Sequence, residues 1–122
     1  FVECTVDETT GEELTPLAHR SSRRVFAVQT AEKLQELLAG VVAEGTGRQA
    51  APSEGTAAGK TGTAQTGQFR DGEELKNYWF AGFYPAEKPR WTIVVMQDAQ
   101  TEPEVSSAAV FARLCDALSA GE

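Results

Sequence analysis

Histidine and asparagine are nearly missing from this 122-residue chain, which holds one of each, His19 and Asn77. Two cysteines, Cys4 and Cys115, lie near opposite ends. That spacing with a single histidine fits no zinc pattern, so neither a metal site nor a cofactor is expected. The cysteines read as small buried hydrophobes, since a disulfide needs a geometry that spacing does not specify. Long apolar runs are also missing: nothing approaches the roughly 20 residues of a membrane-spanning helix. The opening residues Phe1-Val2-Glu3-Cys4 lack the charged and apolar regions of a signal peptide, and no methionine precedes them. The expectation is a piece of a longer protein whose membrane anchor, where it has one, lies N-terminal to this piece. Positive charge is in deficit as well, with a formal net charge of -7. That balance disfavours a nucleic-acid backbone or an anionic membrane surface as partner.

What remains is ordinary globular material, 41% hydrophobic and 24% charged, sized for one domain over residues 1–122. The β-formers of Phe1 to Val6, the turn chemistry of Asp7 to Gly11 and the stretch Glu13 to Thr15 predict a hairpin. Pro16 to Arg24 reads as an exposed basic loop containing His19, Arg20, Arg23 and Arg24. Val25 to Val28 reads as a short strand, and Thr30 as the N-cap of a helix. Leu34, Leu37, Leu38, Val41 and Val42 mark one face of that helix, with Gly45 ending it in the left-handed conformation. Three strands follow, around 57–65, 78–84 and 91–96, with a polar connection over Gly67 to Lys76 and a tight turn over Pro85 to Pro89. Their short links favour an antiparallel meander. Thr101-Glu102-Pro103-Glu104 resembles a capping box that opens a second helix. Val105, Ala108, Phe111, Ala112, Cys115 and Leu118 form its apolar face, to be laid across the sheet.

Gly59-Lys60-Thr61 invites a phosphate-loop reading, which requires a glycine five positions before Gly59. That position is Glu54, whose carboxylate repels phosphate, and the β-rich residues after Lys60 oppose a helix start. Lys-Thr-Gly on a strand suits a different ligand, one that ends in a carboxylate. Lys60 supplies a positive charge, and the Thr61 and Thr63 hydroxyls are donors to carboxylate oxygens. Gly62 lets a ligand backbone approach the strand edge, and the Thr63 N–H can face a developing oxyanion. The competing reading of Lys60 to Thr63 is an edge strand guarded by a lysine. Gly59 and Gly82 equally well mark a bulge or a close backbone approach. Trp79, Phe80, Phe83, Tyr84 and Trp91 read as core rather than as a carbohydrate platform. Asp98 and Glu102 read as solvated loop.

The longer context is more specific than the tripeptide. Ala58-Gly59-Lys60-Thr61-Gly62-Thr63-Ala64-Gln65, then Tyr78-Trp79-Phe80-Ala81-Gly82-Phe83-Tyr84-Pro85, then Trp91 to Met96, closely resemble the end of a penicillin-binding protein transpeptidase domain. The helix ending in Glu44-Gly45-Thr46-Gly47 resembles the family's helix before this strand. The resemblance covers most of the chain from about Val25 onward. It implies an α+β fold, an antiparallel β-sheet with helices packed on it, as part of the serine β-lactamase/transpeptidase-like fold. It further implies a serine that attacks a D-Ala-D-Ala stem peptide or a β-lactam to form an acyl-enzyme. Lys60, Thr61 and Gly62 would then bind substrate, Lys60 would also serve the proton network, and Thr63 would bind the carboxylate and give one oxyanion N–H. Gln65 would lie further along the same strand, in contact with substrate.

The sequence departs from the family's signature set in two respects. None of Ser21, Ser22, Ser53, Ser106, Ser107 and Ser119 is followed by lysine at the third position, and Asn77 lacks the serine of the middle motif. The nucleophile is therefore expected outside this chain, which by itself is expected to be inactive. The rival readings are a fragment of a serine β-lactamase or β-lactam sensor, and a non-catalytic interaction module on a degenerate transpeptidase fold. The parent protein is expected on the extracytoplasmic side of the bacterial membrane. Apolar faces that an absent half would cover predict self-association of the 122-residue chain. Light scattering at high concentration should give a mass above the monomer; a strict monomer would refute this expectation.

Overall fold

The computed structural model describes residues 4–16 and 23–121. Strands β1 (Cys4–Val6) and β2 (Glu13–Pro16) form the anticipated antiparallel hairpin. Asp7 organises its turn by accepting from the Thr9 and Thr10 N–H groups at 2.8 and 2.9 Å. These backbone donors, Thr10 first, hold the Asp7 carboxyl below its ordinary value. Most of the basic loop, including His19 and Arg20, lies outside the described residues; Arg23 and Arg24 are exposed.

Helix α1 spans Val28–Ala43. The expected strand over Val25 to Val28 does not form: Val25 and Phe26 are 73% and 63% exposed, and Val28 already belongs to the helix. A four-residue apolar run has no periodicity of its own, and no strand among the described residues pairs with it. The N-cap is Ala27, which offers no side-chain acceptor, while Thr30 sits inside the first turn. At the other end Gly45 is not left-handed; Glu44 is the C-cap, with φ -131°. Gly45 is required for room instead, because a Cβ there would stand 2.9 Å from the Val41 backbone.

Strands β3 (Ala58–Arg70), β4 (Glu73–Tyr84) and β5 (Trp91–Gln100) form a three-stranded antiparallel sheet in the order β3-β4-β5. The meander is as expected, but all three strands are longer. The polar segment from Gly67 to Lys76 is mostly strand, and the connection is just Asp71-Gly72, both at positive φ (53° and 86°). Asp-Gly is the residue pair that a two-residue hairpin of this hand selects. A register shift between Gln65 and Phe69, with Gly67 at φ 70°, absorbs the extra residues of β3.

Helix α2 spans Ser107–Ala120 and begins well after the supposed capping box. The true N-cap is Ser106, whose side chain accepts from the Ala109 N–H at 3.1 Å. Thr101 and Val105 serve the sheet instead. Their carbonyls accept from the Tyr78 hydroxyl at 2.6 Å and the Gln97 amide at 2.8 Å. The apolar face read for this helix is largely as expected: Ala108, Phe111, Ala112 and Cys115 are buried.

The core lies between β4 and α2. Phe80 and Phe111 are fully buried, with ring centroids 4.7 Å apart and planes tilted by 55°. Glycines make room for this pair. A Cβ on Gly59 would come within 2.6 Å of the Phe80 ring, and one on Gly82 would lie 2.5 Å from the Ala58 carbonyl oxygen and 3.0 Å from Phe111. The close-approach reading of both glycines is therefore the right one. Tyr84 extends the core, stacked on Trp91 at 6.1 Å, with its hydroxyl bonded to Ser119 and to the Glu54 carbonyl. Trp79, at 38% exposure, and Phe83, on the other face of the sheet, do not join it. Cys115 is a free, buried thiol; desolvation, then the neighbouring Asp116 charge, pushes it up to about 11.

On the opposite face, Leu34 and Leu38 of α1 line a cavity of 260 Å³ with Phe83 and Thr92. Further along that face Val94 and Met96 are exposed. Gly82→Ala forces a methyl group into backbone and should lower the stability of the chain by about 1–3 kcal/mol, as overpacking does. Urea unfolding of the variant should show a lower midpoint at unchanged slope; an unchanged midpoint would contradict the packing described.

Candidate functional site on the β3 edge

Within the described sheet β3 pairs with β4 alone, so one long side of it is an edge. Residues directly opposite in an antiparallel pair share a face, and successive residues alternate. Thr61 and Thr63, opposite Phe80 and Tyr78, lie on the face that carries α2, while Lys60, opposite Ala81, lies on the other. The lysine nonetheless curls back over the strand. Its ammonium donates to the Thr61 carbonyl at 3.0 Å and to Thr61 Oγ1 at 3.2 Å. Lys60 and Thr61 are thus one hydrogen-bonded unit rather than two separate contacts.

A cavity of 180 Å³ opens beside this unit. Thr61, Gly62 and Thr63 form one wall of it, and Tyr78 and Trp79 of β4 continue that wall. Thr46 and Gln49, after α1, supply a second wall; Pro103 and the start of α2 supply a third. No side chain in this lining is a carboxylate, although the chain is acidic overall. Several acidic side chains near the sheet are engaged elsewhere. Glu74 accepts from the Gln65 amide at 2.6 Å, and Asp116 binds Ser53 through both oxygens. The Thr56 hydroxyl donates to Glu87 and is the main reason that carboxyl lies below its ordinary value. Hydroxyls, an amide, strand backbone and one adjacent ammonium therefore form a setting suited to an anion. Among the described residues, no group of three or more His, Cys, Asp or Glu side chains is placed to hold a metal ion.

Sequence reasoning located Lys60 to Thr63 together, and the structure brings them to one edge. Gln65 is set apart: its amide is turned to Glu74, beside the register shift. Thr46, Gln49 and Ser106 were not foreseen as site residues. Thr46 Oγ1 lies 3.4 Å from Thr61 Oγ1, and the Ser106 hydroxyl donates to Gln49 Oε1 across the cavity. The only hint of them in the sequence was the Glu44-Gly45-Thr46-Gly47 string, which carried part of the resemblance but no chemistry.

The family model of the penicillin binding protein transpeptidase domain matches residues 5–116. The chain belongs to that family. Stage V sporulation protein D of Bacillus subtilis is 36% identical over 96 residues, covering 76% of this chain and 14% of that protein. Penicillin-binding protein PbpB of Mycolicibacterium smegmatis is 40% identical over 90 residues, covering 62% of the chain and 13% of that protein. The matched part is therefore a small fraction of these relatives' length. Among solved structures, the D,D-transpeptidase domain of a peptidoglycan glycosyltransferase from Eggerthella lenta aligns with a TM-score of 0.63 at 29% identity. That alignment covers 98% of this chain and 27% of the other. The transpeptidase domain of Burkholderia pseudomallei penicillin-binding protein 3 aligns at 0.70 with 29% identity, covering 90% and 36% respectively. The sheet with its two helices is the α+β arrangement of this penicillin-binding protein family.

Ser106 caps α2 and also ties that helix to Gln49. Ser106→Ala should cost about 1 kcal/mol from the lost cap alone. Thermal unfolding of the chain should show a lower midpoint, and Ser106→Asp, which restores a cap acceptor, should recover most of it. A Ser106→Ala variant as stable as the parent sequence would contradict the cap.

Proposed function

We propose that this chain supplies the substrate-binding wall of a serine D,D-transpeptidase, which cross-links peptidoglycan stem peptides and is acylated by β-lactams. The observation that carries the reading is the carboxylate-free cavity on the β3 edge, with Thr61 and Thr63 lining it and the Lys60 ammonium bonded to Thr61. In this reading the terminal carboxylate of a D-Ala-D-Ala peptide, or that of a penicillin, lies between the Thr61 and Thr63 hydroxyls. A neighbouring cation makes such hydrogen bonds stronger. The Thr63 N–H stabilises the oxyanion that forms when the serine attacks the carbonyl carbon. Lys60 holds Thr61 and takes part in the proton network around the nucleophile. Gly62 leaves room for the ligand's backbone along the strand, and Gln65 contacts substrate only after its amide leaves Glu74.

The nucleophile and its lysine belong to a Ser-x-x-Lys segment of the parent protein, for which residues 1–122 form the C-terminal portion of the domain. The parent works on the outer side of the cytoplasmic membrane, where peptidoglycan lies, and is held there by an anchor outside this sequence. No helix among the described residues is long and apolar enough to cross a membrane.

Fluorescent penicillin tests this directly. The parent protein should be labelled at a serine outside this chain, and the isolated 122 residues should not be labelled. Thr63→Val in the parent keeps the N–H but removes the hydroxyl. It should slow acylation roughly tenfold to a hundredfold, the worth of a hydrogen bond to a charged group. A parent that is not labelled would refute the reading, as would defined labelling of the isolated chain. Rapid β-lactam hydrolysis by the parent would make it a β-lactamase instead.

A further inference from the structure

Thr61 is asked to donate a hydrogen bond to a carboxylate, yet a threonine hydroxyl has one hydrogen and two acceptor positions. The direction of that single hydrogen decides whether the site can bind an anion. The Lys60 ammonium has no lone pair, so its contact with Thr61 Oγ1 at 3.2 Å occupies one acceptor position. Thr46 Oγ1, 3.4 Å from the same atom, is the other hydroxyl in contact with it. Two arrangements satisfy this pair. When Thr61 donates to Thr46, its hydrogen is consumed inside the protein and nothing is left for the ligand. When Thr46 donates to Thr61, both acceptor positions on Thr61 are filled and its own hydrogen is released toward the cavity.

Thr46 is carried on a loop that is well held. The Arg48 guanidinium donates twice to the Glu44 carbonyl, at 3.1 and 2.9 Å. The Gly47 N–H donates to the Val41 carbonyl at 3.0 Å, and a Cβ at Gly47 would lie 3.3 Å from the Phe80 ring. Gln49, just beyond, is tied to Ser106 of the α2 cap. The second hydroxyl is therefore anchored to the same core that positions β3, on an element separate from the Lys-Thr-Gly strand.

We propose that Thr46 is a positioning residue, which donates to Thr61 Oγ1 and so turns the Thr61 hydrogen toward the carboxylate of the bound ligand. The proposal rests on the transpeptidase reading above. An anion in the cavity selects the arrangement in which Thr46 donates, because the other places an oxygen lone pair against the ligand's charge. The 3.4 Å separation is long for two hydroxyls, and the proposal requires it to shorten when the ligand binds.

The test uses the full-length protein and the rate constant for acylation by benzylpenicillin, with its methyl ester as a probe that lacks the charged carboxylate. Thr46→Val, nearly isosteric but without the hydroxyl, should slow acylation by benzylpenicillin about fivefold to tenfold, the worth of one hydrogen bond. Thr46→Ser should retain the wild-type rate. Acylation by the ester should be indifferent to Thr46→Val. In a Thr61→Val background the further change Thr46→Val should have no effect, since its action runs through Thr61. A Thr46→Val protein that matches wild type with benzylpenicillin would overturn the proposal. So would an equal loss with the ester, or an undiminished loss in the Thr61→Val background, either of which would mean packing alone. These outcomes leave the transpeptidase reading intact, whereas wild-type protein that neither probe acylates would remove that reading and the role of Thr46 with it.

Discussion

The contact between Phe80 and Phe111 is the constraint on which the other parts depend. It joins the central strand to α2, and three glycines allow other segments to close on it. Gly59 brings β3 against the Phe80 ring one residue before Lys60. Gly82 lets β4 pass under Phe111, and Gly47 seats the loop after α1 on the far edge of Phe80. The three walls of the site cavity thus converge on one aromatic pair. A methyl group at these points would separate the walls, which is why packing and chemistry cannot be treated apart here. Close-packed interiors transmit such displacements instead of absorbing them.

Around that centre the charge distribution is selective. The chain carries seven more negative than positive charges, yet the cavity lining contains no carboxylate. Glu74, Glu87 and Asp116 are each engaged by a neutral amide or hydroxyl partner outside the lining. Lys60 stands next to the cavity and spends its hydrogen bonds on Thr61. The local field is consequently set by a few nearby groups, at distances where the net charge of the molecule is screened. An acidic protein presenting a site for an acidic ligand is no contradiction under these conditions.

Residues whose role is local were legible in the sequence, and residues whose role depends on a distant partner were not. The α1 helix, the meander and the apolar face of α2 follow from periodicity, but of the face read for α1 only Val42 is buried, and Leu34 and Leu37 are exposed. Lys60 to Thr63 followed from residue chemistry on one strand. By contrast, Thr101 to Glu104 had the composition of a helix cap, but Tyr78 and Gln97 recruit the carbonyls of Thr101 and Val105 and delay the helix to Ser107. Thr30 looked like a cap because Val25 to Val28 looked like a strand, and without a pairing partner both readings fall. Gly45 was read as a conformational glycine when it is a spatial one. Asp71-Gly72 was visible throughout, and its local signal was outweighed by the polarity of the residues around it.

The sequence by itself determined the family, the antiparallel α+β architecture and the Lys-Thr-Gly-Thr strand, because each is written in contiguous residues with a short-range physical meaning. Only the tertiary structure decided what stands opposite that strand. Thr46, Gln49 and Ser106 come from the loop after α1 and from the cap of α2, elements that meet solely because Phe80 and Phe111 pack between them. Nor could residue order reveal that Lys60 turns back onto Thr61, since a side chain's direction is settled by the space and the acceptors that folding leaves around it.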